Sequence, residues 1–432
     1  MKNNIKNKLT WRRLDNSAKI FPMSTGEKYS TVFRLSVVLK EEIQPEILEK
    51  AVIETLEKYQ LFKVKMKTGF FWYYLEENTK KPVIEEEKDY PCKYINPKKN
   101  KGYLFKVTYF ENKINIDIFH ALTDGNSGTT FFREIVYTYL EMCYKNELKQ
   151  ENRQIRKIEY DTEDSYIKNY DKKSKSNASG KRAYELKGKK IKLGAISVIH
   201  EIINLEQLKK ESEKYDATIT QYLTAVLMYV IYNENYIKNK GKKPIKICIP
   251  VNLKKYFPSK TMSNFFSYIT LVAQANEEKL DSFEKIIEFV KNEFNYRLTK
   301  EEIMKTMSAN VKLGNHILIK PIPLILKNIL VRLSYIEIRK HTTITYSNIG
   351  RIGIIGDYKK YIDYFLMLIA PESVEKIKCS SCTFENKIVF TFTSILNNNK
   401  IEKEFYMFLK NKGINVSIES NGVLDDISSE TK

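Results

Sequence analysis

Short segments that alternate apolar and polar residues are interleaved with segments of helical period along the whole chain, and neither kind runs long. Phe33, Leu35, Val37 and Leu39 alternate with Arg34, Ser36 and Val38, a strand pattern. After Pro45, the residues Leu48, Val52, Leu56 and Tyr59 fall on one side of a helix. Two alternating runs, Leu104 to Phe110 and Ile114 to Phe119, flank Glu111-Asn112-Lys113 and predict a hairpin. His120 ends the second run, and Phe131, Ile135, Tyr139 and Cys143 mark a helix beyond it. The same mixture restarts further on. Thr218 is placed to cap a helix whose one face carries Tyr222, Leu223, Val226, Leu227 and Val230. Strands are predicted at 245–249, 265–272, 342–347, 365–369 and 388–393, and helices at 283–296, 300–313 and 402–412. Strands and helices mixed without strict β-α-β order predict an α/β (α+β) two-layer sandwich built twice.

Between the two rounds the composition shifts. Lys172 to Arg182 (KKSKSNASGKR) is charged, small and aperiodic, which marks a linker. The expected organisation is an N-terminal unit over 1–165, a linker over 166–190 and a C-terminal unit over 191–432. No repeat of solenoid period is present.

With 42% hydrophobic and 12% aromatic residues, the chain can bury a core and is not disordered. Its five Cys are sparse and scattered, which fits a reducing cytoplasm better than a disulfide framework. Met1 to Arg13 is polar and basic, so no signal peptide is expected. No apolar run approaches the ~18 residues of a membrane span. The nearest, Ile317 to Tyr335, is broken by charges and prolines; it predicts a buried or half-buried helix, with an interfacial helix near a lipid substrate as the sharper alternative. Weak contact with a membrane surface follows only from that alternative.

The net charge of +20 suggests nucleic acid at first sight, but only eleven of the 73 basic residues are Arg. Phosphate recognition favours the bidentate Arg fork, and no nucleic-acid-reading motif is present, so no nucleic-acid partner is expected. Cys379-Ser-Ser-Cys382 lacks a second Cys/His pair, and no metal site is expected. Gly350, Gly353 and Gly356 do not have dinucleotide-binding spacing and predict a turn. His200, His316 and His341 have no partners at triad or ligand spacing.

The segment Ile116 to Phe132 (IDIFHALTDGNSGTTFF) carries the strongest chemical signal. It places His120 at a strand end, where a rigid element can aim a group that titrates near neutrality into a cleft. Asp124 could hold the loop by capping backbone N–H groups or through an ion pair. Ser127 does not sit in a Gly-x-Ser-x-Gly elbow, which argues against a serine hydrolase.

His120-Ala-Leu-Thr-Asp124-Gly125 resembles the His-x-x-x-Asp-Gly motif of the chloramphenicol acetyltransferase-like superfamily. Trp11 to Ala18 (WRRLDNSA), Ile249 to Phe266 (IPVNLKKYFPSKTMSNFF) and Tyr346 to Gly350 (YSNIG) are similar, in the same order, to segments of its alcohol acetyltransferase and condensation-domain-like branches. The resemblance implies two subdomains forming a pseudo-dimer, with an active-site tunnel between them. It implies His120 as general base, transferring an acyl group from acyl-CoA as co-substrate to a small-molecule alcohol or amine, with no permanently bound cofactor. Asp124, Gly125 and Lys254 would orient the loop, Asp124 through a basic partner and Gly125 by keeping the turn free of a Cβ. Ser347 or Asn348 would supply the oxyanion or acceptor contact, and Asn252, Asn264 and Tyr346 would line the channel. The family's usual Arg in the Pro-Val-Asn-Leu segment is Lys254 here, which leaves the partner of Asp124 open. Two rival readings are a condensation-type enzyme served by an acidic acyl carrier protein, and a non-catalytic scaffold that kept the fold.

Overall fold

The structure is a computed structural model, describing residues 11–26, 30–148, 164–174, 180–238, 240–274, 280–314 and 321–424. Residues 1–10, 175–179 of the expected linker, His316 and the start of the apolar segment, 317–320, lie outside the described residues.

The chain begins β1 Trp11–Arg13, α1 Ile20–Ser24, β2 Val32–Leu39 and α2 Pro45–Lys58. It continues through β3 Val64–Thr68, β4 Tyr73–Glu77, β5 Ile84–Glu86, β6 Phe105–Phe110, β7 Lys113–Phe119, α3 Gly125–Cys143 and α4 Ser165–Asn169. Then come β8 Ser197–Asn204, α5 Leu205–Glu213, α6 Ile219–Ile231, β9 Ile245–Asn252 and β10 Phe266–Ala273. Three helices follow, α7 Phe283–Arg297, α8 Lys300–Gly314 and α9 Leu324–Arg339. The last elements are β11 Ile344–Arg351, β12 Ile362–Ile369, β13 Ile377–Phe384, β14 Lys387–Ser394, α10 Lys400–Asn411 and β15 Val416–Ser420.

Local chemistry accounts for these boundaries. Pro45 opens α2, where a missing N–H costs nothing. Asp124 caps α3 by accepting from Ser127 N, and Thr218 forms a reciprocal capping box with Gln221 at α6. Glu111 takes a left-handed backbone (φ 50°) in the predicted hairpin between β6 and β7.

Two sheets form the frame. A five-stranded sheet has the order β12-β2-β7-β6-β5, and a seven-stranded sheet the order β10-β9-β11-β13-β14-β8-β15. One apolar core lies between the five-stranded sheet and α2 and α3, with Phe33, Leu35, Ile116 and Ile118 meeting Phe131, Ile135 and Leu140. A second lies between the seven-stranded sheet and α5, α6, α7 and α10. The sheets face each other through a small cluster that includes Val198, Leu366, Leu368 and Val389. The mixed two-layer α/β class read from the periodicity is thus the observed one. The halves are tied together by β12, which follows the C-terminal helices in sequence yet pairs antiparallel with β2 along Phe33–Leu39.

One irregularity of the large sheet positions the site. The parallel strands β9 and β11 pair only at Ile247↔Ile344 and Cys248↔Thr345. Beyond those pairs β9 keeps only β10 and β11 keeps only β13, so the sheet opens along their inner edges.

The apolar segment expected to be buried or half-buried turns much of its apolar surface outward. In α9 the side chains of Leu324 and Lys327 are buried, whereas Ile325 and Leu333 are 77% and 63% exposed.

Candidate active site

Three segments far apart in sequence meet at the end of β7. The first is the N-terminal strand and turn around Asp15, the second the loop from His120 to Ser127, and the third the stretch 261–266 leading into β10. Thr123 Oγ1 donates to the Met262 carbonyl (2.6 Å), and Asp124 accepts from Phe265 N (2.9 Å), so the loop is bolted to the third segment. Asp15 bonds to the same segment, accepting from Asn264 N and from Asn264 Nδ2 (both 3.1 Å), and to Ala18 N (2.7 Å) in its own turn.

These bonds fix the imidazole. Asn264 Nδ2 donates to Asp15 and to the His120 carbonyl, so Asn264 Oδ1, 2.9 Å from His120 Nδ1, is an acceptor. The proton therefore sits on Nδ1, and Nε2 carries the lone pair. Phe21 stacks on the ring (4.6 Å between centroids), while Phe33 and Phe266 approach its edge and face at 5.2 and 5.1 Å. The ring is walled but not sealed, since His120 retains partial exposure. Desolvation by these walls lowers the His120 pKa; the charge of Asp124 and the Asn264 bond oppose it, and the charge of Lys378 on β13 adds to the lowering. The lowered pKa favours the neutral imidazole at neutral pH. Burial raises the Asp15 carboxyl to about 7, against the three donors it accepts from.

β11 brings a fourth group. Tyr346 and Asn348 point to the helical side, Tyr346 OH onto Ser381 Oγ (2.9 Å) and Asn348 Nδ2 onto Thr220 Oγ1 (3.0 Å). Strand alternation turns Ser347 the other way, with Ile349. Ile349 lies at the start of α3, where a Cβ on Gly125 would meet it at 3.4 Å. Ser347 thus shares the His120 side of the gap that opens between β9 and β11.

Between the sheets lies a cavity of about 650 Å³, rimmed by lysines that include Lys88, Lys93, Lys99, Lys106, Lys190 and Lys192. Arg34 sits at its floor, in ion pairs with Asp117 (2.6 Å) and Glu87.

A family model of alcohol acetyltransferases matches residues 167–351. Solved structures of the same fold include the trichothecene 15-O-acetyltransferase TRI3 of Fusarium sporotrichioides (8% identity, 93% of this chain and 94% of that chain, TM-score 0.63). F. graminearum TRI101, solved with coenzyme A and T-2 mycotoxin, matches at 10% identity over 93% and 97% of the two chains (TM-score 0.61). The starter condensation domain of rhizomide synthetase, a point mutant solved with C8-CoA, matches at 9% identity over 93% and 94% (TM-score 0.57). No curated protein matches the chain in sequence. The chain thus shares the fold of these acetyltransferases and condensation domains, and residues 167–351 are similar to the alcohol acetyltransferase family.

Within this fold, several residues sit otherwise than expected. Asp124 does not pair with a basic residue: among the described residues its oxygens accept from the backbone of Ser127 and Phe265. Lys254 instead donates to Ser127 Oγ (2.9 Å), so it steadies the first turn of α3, and Ser127 does not face His120 as a nucleophile would. Gly125 has room for a Cβ at ordinary contact distance, whereas one on Gly128 would meet Ile118 Cδ1 at 3.0 Å and Phe33 Cζ at 3.2 Å. The glycine that packing requires is Gly128, because α3 presses on β2 and β7 there. Tyr346, expected along the channel, is fully buried in the C-terminal core, and Asn348 is committed to Thr220 and to Gly350 N (2.7 Å). Asn252 accepts from Lys254 N (3.0 Å) at the end of β9, on the rim of the gap. Asn264 is the positioning residue of the imidazole.

Asp15 and the Phe21, Phe33 and Phe266 walls are not foreseeable from spacing, since they arrive from separate segments. The only sequence signal for Asp15 is its place within the Trp11–Ala18 segment. His200 sits on β8 with Thr391 (2.8 Å), remote in role from His120. Cys379 and Cys382 lie on opposite faces of β13, one in each core, and cannot act as a pair. Among the described residues there is no His/Cys/Asp/Glu group suited to a metal, and no helix is long and apolar enough to cross a membrane.

Proposed function

We propose that the protein transfers an acyl group from acyl-CoA to the hydroxyl or amine of a small-molecule acceptor, with His120 as general base. The observation that carries this reading is the Asp15–Asn264–His120 chain, which leaves Nε2 of a neutral, walled imidazole unprotonated and open. Nε2 takes the acceptor's proton as its oxygen or nitrogen bonds to the thioester carbonyl carbon. The resulting oxyanion accepts from Ser347, on the facing strand across the gap. The C–S bond then breaks, and the imidazolium returns its proton to the departing thiolate. Asp124, Thr123 and Lys254 hold the loop without touching the reacting atoms.

The six lysines of the cavity between the sheets, which stand among Glu85, Glu87, Asp89, Asp117 and Glu372, could offset the phosphates of coenzyme A. The relatives solved with coenzyme A or C8-CoA support this choice of donor. A scaffold would have no need of the neutral imidazole and its two positioning partners.

The test is to incubate the protein with acetyl-CoA and a panel of alcohols and amines while following free thiol. Acceptor-dependent thiol release that His120→Ala reduces to background supports the assignment. A His120→Ala variant as fast as the native protein refutes it. Reaction only with acyl groups presented on a carrier protein moves the donor to the carrier.

A further inference from the structure

The helix α9 is built inside out. Several of its polar residues face the protein: Lys327 donates to the Phe71 carbonyl (3.1 Å) and lies 3.5 Å over the Trp72 ring, and Asn328 donates to Tyr73 OH (3.0 Å). Arg339 is held by Glu372 (2.9 Å) and Glu375 (2.7 Å). Its apolar residues face outward, with Ile325, Leu326, Ile329, Leu330 and Leu333 each more than half exposed. Apolar surface on a folded protein ordinarily turns inward, so a helix docked by its polar side presents the other side to an apolar medium.

The neighbouring elements extend the same face. Leu324 N donates to the Phe70 carbonyl (2.9 Å), which fixes the β3–β4 hairpin tip beside the start of α9. Phe70 at that tip is 72% exposed. α1 also packs on α9, and its exposed Ile20 stands next to Phe21, the residue stacked on His120.

Charge selects the occupant. Lys19 and the exposed Arg332 border the face, Lys65 and Lys67 lie 3.7 and 3.9 Å from Glu76 at the base of the hairpin, and Lys327 is turned inward. A protruding apolar helix and an aromatic hairpin tip, bordered by Lys19 and Arg332 on a chain of net charge +20, match the interface of an anionic bilayer. We propose that this face, α9 with the β3–β4 tip, seats the protein on the surface of an anionic lipid membrane, with the apolar side chains inserted below the headgroups. Docking of this kind does not depend on the acyl-transfer reading.

Vesicle flotation of the full chain tests it. Vesicles of phosphatidylcholine and phosphatidylglycerol in equal parts should carry the protein, and pure phosphatidylcholine should carry much less. The variant L330S/L333S, changed only at exposed positions, should lose at least about tenfold in partition coefficient, equivalent to about 1.4 kcal/mol. Its thermal unfolding should match the native protein, which separates loss of docking from loss of fold. Equal flotation of the variant, or no flotation on anionic vesicles, overturns the proposal. So does a dimer in light scattering that L330S/L333S converts to monomer, because a second copy would then cover the face.

Discussion

Replacing Asn264 with alanine isolates the positioning of the base from the base itself. The substitution removes the acceptor 2.9 Å from His120 Nδ1 and the donor to the His120 carbonyl, but keeps the backbone N–H that bonds Asp15. His120 Nδ1–H then loses its partner in a partly desolvated site, and the tautomer with the proton on Nε2, which cannot act as a base, becomes accessible. A buried donor left unpaired costs about 1–3 kcal/mol. If that cost falls on the reactive orientation, kcat/KM drops about 5- to 150-fold. The loss should appear in kcat, with KM for acyl-CoA little changed, because Asn264 holds the imidazole from behind. The bond to Asn264 favours the imidazolium, so its removal should also move the acid limb of kcat/KM further down. Thiol-release kinetics across the acid limb, with circular dichroism as a control of fold, measure both effects. A folded Asn264→Ala enzyme within about twofold of native kcat/KM and with an unmoved limb would refute the positioning argument.

In the native enzyme, burial lowers the His120 pKa, so the acid limb of kcat/KM should lie below the usual ~6.5 of imidazole; a pH–rate profile with its limb above that value contradicts the assignment. Asp124→Ala strands the Ser127 and Phe265 N–H groups and should cost about 2–4 kcal/mol in chemical unfolding, most of it as stability. Gly128→Val overpacks against Ile118 and Phe33 and should cost about 1–3 kcal/mol, while Gly125→Ala should leave the melting temperature nearly unchanged. Burial holds the Glu402 carboxyl at about 7 against an ordinary 4.5, so the folded state binds its proton more tightly than the unfolded chain. Its contribution is full below about pH 4.5 and is lost, by about 3 kcal/mol, as pH rises toward 7; Glu402→Gln should flatten that part of the stability curve.

The elements themselves were legible because their signals are local. The β6–β7 hairpin, the Asp124 and Thr218 caps and the helix after Pro45 each depend on residues within a few positions of one another. His120 could be singled out for the same reason, as a histidine at the end of an apolar strand within a recognisable motif. The hairpin β3–β4 and the strand β13 were not evident: β13 is buried on both faces and so has no alternation to read.

What the sequence alone determined was the kind of chain, a mixed α/β acyltransferase-like fold with one histidine worth mutating. What tertiary structure decided was everything that depends on facing. It set which residue accepts from His120, because Asn264 and Asp15 reach the ring only when three distant segments close on one another. It separated Ser347 from Tyr346 and Asn348 through the alternation of β11, and gave Asp124 backbone partners instead of a cation. It also turned α9 outward. Helical periodicity shows that a segment has an apolar side, but only the packing of Lys327, Asn328 and Arg339 against their partners fixes which side meets the protein.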